Sequence, residues 1–124
     1  MPTPEEMIAA VEAYIDAFNA GDPELAVALF AKDATVEDPI GTPLKEGEDA
    51  IREFYTVSMA TGAKLTLQGP VRVGADHAAF AFQAGLDWEG KKQTVDVIDT
   101  FKFGEDGKVV EMKAYFGPTN MQAG

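Results

Sequence analysis

Val95-Asp96-Val97-Ile98-Asp99-Thr100-Phe101-Lys102-Phe103 changes character at every second residue. Side chains of an extended strand point alternately to its two faces. Val95, Val97, Asp99, Phe101 and Phe103 therefore share one face, and Asp96, Ile98, Thr100 and Lys102 the other. The stretch reads as a half-buried strand with one carboxyl in the middle of its apolar stripe. The same period of two extends to residues 64–73, 78–88, 91–103 and 108–116. Gly74-Ala75-Asp76, Glu89-Gly90 and Gly104-Glu105-Asp106-Gly107 separate them as hairpin turns, and Gly69-Pro70 marks a bulge or bend in the first strand.

Upstream the period is helical. Thr3-Pro4-Glu5-Glu6 combines a cap, a proline for the first turn and a capping-box glutamate. Met7, Val11, Tyr14, Ile15 and Phe18 then form one apolar face, which Gly21 ends. Asp22-Pro23-Glu24 opens a short second helix with Leu25, Ala26, Leu29 and Phe30 as its expected buried stripe. Residues 34–38 read as a strand stopped by Pro39, and 40–47 as a loop. Residues 48–59 read as a third helix with Ile51, Phe54, Tyr55 and Ser58 on one face. Three helices followed by an antiparallel meander predict an α+β fold, with the helices packed on one face of a curved sheet.

Composition narrows the function. The 124 residues predict one domain, 1–124. Ten basic and twenty-one acidic residues leave a net charge of −11, which repels phosphate backbones and anionic lipid heads. Neither nucleic acid nor a membrane is an expected partner. No apolar run approaches the ~18 residues of a membrane span, and no signal peptide is evident, so the expected location is the cytoplasm. There is no cysteine, one histidine and one serine. Thiolate chemistry and Cys-type zinc sites are excluded, and Ser58 lacks a nucleophile elbow. His77 beside a turn reads as a solvated strand-end residue. Any chemistry falls to carboxylates and phenols.

Three polar groups lie on apolar faces. The inward stripes expected beside Asp99 are Phe80, Phe82, Ala84 and Leu86 on one side and Val110, Met112, Ala114 and Phe116 on the other. Neither offers a cation, so desolvation should raise the Asp99 pKa and favour the neutral acid, which can donate a hydrogen bond. Tyr14 sits on the apolar face of the first helix, where its hydroxyl needs a partner; a backbone carbonyl would suffice. Asp38 shares a face with Ala34 and Val36, at a strand end where partial solvation fits an ionised acid; it could equally begin a turn. One ionised and one neutral acid in a shared apolar cavity would provide base and acid near neutral pH.

Asn19-Ala20-Gly21-Asp22, Ala34-Thr35-Val36-Glu37-Asp38-Pro39, Ala50-Ile51-Arg52-Glu53-Phe54-Tyr55, Ala78-Ala79-Phe80-Ala81-Phe82 and Val97-Ile98-Asp99 together resemble the Δ5-3-ketosteroid isomerases. These belong to the NTF2-like superfamily, so the resemblance implies a cone-shaped sheet around a deep pocket. It also implies Asp38 as general base and an oxyanion hole of Tyr14 and protonated Asp99, in a family that is itself the standard example of a carboxylic acid kept neutral. Tyr55 matches a tyrosine that bonds toward Tyr14, whereas Phe30 stands where some members have a further tyrosine. No cofactor and no metal are implied. A steroid-binding tunnel is expected from Phe54, Met59, Phe82, Leu86 and Trp88, together with Val97, Phe101, Met112 and Phe116. Ile98, Val109 and Tyr115 are expected on the outer face, where the resemblance implies a homodimer. The competing readings are a polyketide-cyclase-like enzyme, which also forms an enolate with an acidic base, and a non-catalytic module for a hydrophobic ligand.

Overall fold

Helix α1, Pro4–Ala20, begins where the sequence supplies two reciprocal caps. The Glu6 amide donates to Thr3 Oγ1 at 3.1 Å and the Thr3 amide to Glu6 Oε1 at 2.8 Å. It ends at Gly21, whose φ of +66° is the left-handed conformation that a side chain disfavours. The computed structural model describes residues Met1–Gly124. All five apolar residues expected on the inner face of α1 are buried, with Ala17 added. Helix α2 is a single short run, Pro23–Val27, capped by the Asp22 carboxylate. Strand β1, Phe30–Glu37, and the two-residue β2, Lys45–Glu46, precede helix α3, Glu48–Ala60. No helix is long and apolar enough to cross a membrane.

The rest is sheet: β3 (Lys64–Leu67), β4 (Arg72–Gly74), β5 (His77–Trp88), β6 (Lys91–Phe103), β7 (Val109–Tyr115) and β8 (Met121–Ala123). The main path runs β2-β1-β7-β6-β5-β3. The long strands β5 and β6 pair over their whole length through a two-residue turn, Glu89-Gly90, in which both residues have positive φ as a tight right-twisting hairpin requires. Each long strand has its outer edge shared by two short ones. β3 pairs with the Phe82–Gly85 end of β5 and β4 with its His77–Ala79 end. β7 pairs with the Ile98–Phe103 end of β6 and β8 with its Gln93–Val95 end. The ladder outside β5 breaks at Phe80–Ala81 and the ladder outside β6 at Asp96–Val97, at adjacent levels of the β5–β6 hairpin. With each outer ladder broken near its middle the sheet can curl strongly, and the helices cover its concave side.

The fold class is therefore as expected, with several corrections. The sheet is mixed, because β1 runs parallel to β7. Loop 40–47 contains β2, which pairs with β1 at Val36 and Lys45. The strand expected over 64–73 is broken into β3 and β4 at Gly69-Pro70. On α2, Ala26 and Val27 are buried while Leu25 is 51% exposed, and Phe30 already belongs to β1. On β7 the parity shifts: Val109 pairs with Phe103 and is buried, Val110 is the extra residue of a bulge, and Met112 and Ala114 then point inward. Val109 is thus a core residue rather than an outer one. Ile98 and Tyr115 do lie outside, directly opposite each other.

Candidate active site

Tyr14 is fixed by its ring. Phe18, Phe101, Phe80 and Tyr55 surround it with centroid separations of 5.2–6.0 Å, mostly edge to face. Its hydroxyl accepts a hydrogen bond from the Tyr55 hydroxyl at 3.1 Å. That leaves the Tyr14 hydrogen available to another acceptor. Burial holds both phenols well above their ordinary pKa, so both are neutral. Phe30 lies against Tyr55 at 5.7 Å and supplies no further hydroxyl.

Asp38 follows directly on β1, and the Asp38–Pro39 peptide bond is cis. The turn beyond it is tied at three points. Glu37, which faces away, accepts from the Gly41 amide at 2.9 Å, Thr42 Oγ1 donates to the Pro39 carbonyl at 2.7 Å, and the Ile40 amide donates to the Ala114 carbonyl at 2.9 Å. Glu37 registers with Lys113 on β7, and Ala114 registers with Asp99 on β6. Asp38 and Asp99 therefore stand at one level with a single strand between them, about 10 Å apart at the backbone.

Asp99 is 1% exposed and is the one buried charged residue of the chain. Neither of its carboxyl oxygens has a hydrogen-bond partner. Burial raises its pKa well above the ordinary carboxylate range and the Asp38 charge adds to the rise; the nearby Tyr14 hydroxyl, short of a formed hydrogen bond, pulls weakly the other way. An unpartnered anion there would be far costlier than the neutral acid. Asp38 is only partly buried by its surface. Desolvation lifts it from 3.8 to about 6, against the opposing charge of Lys45. The Lys45 ammonium sits over the Phe54 ring, 5.2 Å from its centroid, and donates to the Pro43 carbonyl at 3.2 Å. Reading the sheet stripes alone missed this cation, because it comes from the short β2 within an expected loop. The two acids thus stand in unlike surroundings: burial and the Asp38 charge favour the neutral form of Asp99, whereas Lys45 favours the ionised form of Asp38.

Tyr14, Asp38 and Asp99 face one cavity of about 420 Å³. Fourteen of its twenty lining residues are hydrophobic, so its few polar groups stand out chemically. Phe54, Phe82, Leu86, Trp88, Val97 and Phe116 line it as expected. Tyr55, Met59, Phe101 and Met112 do not. Tyr55 stands behind Tyr14, and Phe101 pairs with Met112 in the core below Asp99. Facing inward is common to core and cavity, so alternation could not separate them. Phe18, Pro39, Ala63, Leu65, Ala84, Gln93 and Val95 also line the cavity, as do Val57, Ser58, Thr61 and Met121. Ala84, Gln93 and Val95 were legible from the parity that turned Asp99 inward. Val57, 63% exposed at the rim, carried no such signal. His77 lies outside the cavity, exposed, with its ring 2.7 Å from the Asp76 carboxylate.

A family model described as a SnoaL-like domain matches residues 11–112. A steroid Delta-isomerase of Nocardioides simplex is 41% identical over 117 residues, covering 94% of each chain. Among solved structures, the epoxide hydrolase/cyclase-like enzyme SalBIII, with a role in pyran ring formation in polyether salinomycin, superposes with a TM-score of 0.92. It is 25% identical, and the match spans 100% of both chains.

Proposed function

The chain belongs to the SnoaL-like domain family and is an enzyme of the isomerase class; from that premise we propose that it converts 3-oxo-Δ5-steroids to their conjugated Δ4 isomers. Asp38 removes a proton from C4 of the substrate, and the C–H electron pair moves toward the carbonyl to give a dienolate. The same carboxyl then returns the proton to C6, so the reaction is neutral in atoms and charge. A base lying against one face of a flat ring system reaches both carbons. Tyr14 and protonated Asp99 donate to the oxygen as its charge develops, and Tyr55 holds Tyr14 in position. Donors set in place beforehand need no reorganisation, which is how such sites lower a barrier.

The observation that carries this reading is the Asp99 carboxyl, buried without a partner beside the Tyr14 hydroxyl in an apolar cavity that also takes Asp38. A module that merely binds a hydrocarbon has no use for a buried acid, which costs stability. The test adds a 3-oxo-Δ5-steroid and follows the conjugated enone by ultraviolet absorbance. Unaltered protein should convert it. Asp38→Asn should bind the steroid and leave it unchanged; near-normal turnover by that variant removes Asp38 as base.

A second reading, a cyclase of the polyketide kind, is favoured by the full-length likeness to the SalBIII structure. It would use the same pairing of an ionised and a neutral acid on a more flexible chain. Failure to isomerise any 3-oxo-Δ5-steroid would select it. We also propose a homodimer joined through the outer sheet face, where Ile98 is 49% and Tyr115 45% exposed.

A further inference from the structure

The cavity has a polar group at each end of one strand and an apolar middle. The inward residues of β6 that line it are, in order, Gln93, Val95, Val97 and Asp99. At ~3.3 Å per residue the first and last are about 20 Å apart along the strand. That suits a fused four-ring nucleus with a hydrogen bond at either end. Across the β5–β6 ladder, Leu86, Ala84 and Phe82 face Gln93, Val95 and Val97, so the floor between the ends offers nothing polar.

Gln93 is half-buried at the mouth, beside the exposed Trp88 and Met121. Its backbone is held on both sides, registered with Leu86 on β5 and with Ala123 on β8. Its amide has no partner in the protein. Neighbouring polar side chains do: Thr94 donates to the Gly124 carbonyl at 3.2 Å, and Gln83, on the outer face, donates to Asp96 at 3.2 Å. Thr61, on the opposite wall, is also engaged, donating to the Ser58 carbonyl at 2.6 Å. A primary amide that both donates and accepts, aimed into an apolar cavity from a fixed strand, is a recognition group waiting for an oxygen.

We propose that Gln93 is a specificity-determining residue that hydrogen-bonds an oxygen function, ketone or hydroxyl, on the terminal ring farthest from the reacting carbonyl. The inference rests on the isomerase reading and names a further feature of its substrate. The contact is remote from the reacting atoms and equal in ground and transition states, so it lowers KM and leaves kcat alone.

The experiment compares two 3-oxo-Δ5-steroids, one with a ketone at C17 and one without any oxygen there. Gln93→Leu should raise KM for the ketone about 3- to 10-fold, the worth of one hydrogen bond. It should leave kcat unchanged and should not raise KM for the deoxy steroid. An equal change for both substrates overturns the proposal. So does a ketone-selective loss in Ser58→Ala with Gln93→Leu unaffected. If the unaltered protein converts neither steroid, the isomerase reading fails by itself. The preference is then read as the ratio of the two dissociation constants from quenching of Trp88, the sole tryptophan. A ratio that Gln93→Leu does not change, or no binding of either steroid, also overturns it.

Discussion

Asp38 shows how a site's chemistry is set by two opposing influences on one side chain. Burial lifts its carboxyl from 3.8 to about 6, and Lys45 limits the rise. Turnover needs the anion, so kcat/KM should climb with pH, reach half its plateau near pH 6 and level off above it. A profile flat from pH 5 to 8 would contradict that assignment. The same shift destabilises the fold. A carboxyl that holds its proton more tightly when folded favours folding below pH 3.8, and the advantage is lost as pH rises through 6. The interval corresponds to at most about 3 kcal/mol at 1.36 kcal/mol per pH unit. Asp38→Asn should therefore raise the melting temperature at pH 7, with the gain shrinking toward pH 4. Asp99→Ala should keep the base but lose one donor, slowing turnover about a hundredfold or more, some 3 kcal/mol; an unchanged rate would mean that Asp99 gives nothing to the oxyanion. The inward placement of Asp99 and Tyr14 was legible from alternation and helical spacing. The modifying influence of Lys45 was not, since it depends on a loop folding back beside β1.

At the level of elements, legibility followed the range of the contact. The capping box of α1, its Gly21 end and the Glu89-Gly90 hairpin are local events, and residues a few positions apart dictate them. The parallel pairing of β1 with β7 joins segments some eighty residues apart, and no local pattern specifies it. The bulge at Val110 inserts one residue and so inverts the parity of everything before it on that strand, which moved Val109 from the outer face to the core. One side chain links α1 to the cavity wall. Asn19, in the last turn of α1, accepts from the Leu65 amide at 2.7 Å and donates to the Leu65 carbonyl at 3.0 Å. Leu65 lines the cavity, and β3 is a four-residue edge strand whose one ladder is with β5. Asn19→Ala leaves two part-buried backbone groups unpaired and should cost about 1–3 kcal/mol in urea unfolding. Asn19→Asp restores only the acceptor and should recover part of the loss. Equal stability of Asn19→Ala and the unaltered protein would show that water replaces the clasp at no cost.

For the whole molecule the question is what the outer sheet face does. Ile98 and Tyr115 are cross-strand neighbours on it, and around them Gln83 binds Asp96 while Lys113 pairs with Glu111 at 3.6 Å. An apolar centre inside a polar rim is the usual anatomy of an interface. Burying it sets apolar gain against the repulsion of two chains that each carry a net charge of −11. Salt screens the repulsion, with a Debye length of about 10 Å at 0.1 M, and leaves the apolar gain in place. Dimerisation should therefore strengthen as sodium chloride rises from about 20 to 200 mM, opposite to an association held by ion pairs. Light scattering at micromolar concentration should give twice the monomer mass. Ile98→Glu, which puts a charge opposite Tyr115, should weaken association at least tenfold and leave the far-ultraviolet circular dichroism unchanged. The cavity opens on the other side of the sheet, so turnover per chain should survive in that monomeric variant wherever the curl of the sheet is intrinsic. Joint loss of dimer and turnover would instead mean that the partner sheet holds β6 in the curve on which the spacing of Asp38, Tyr14 and Asp99 depends.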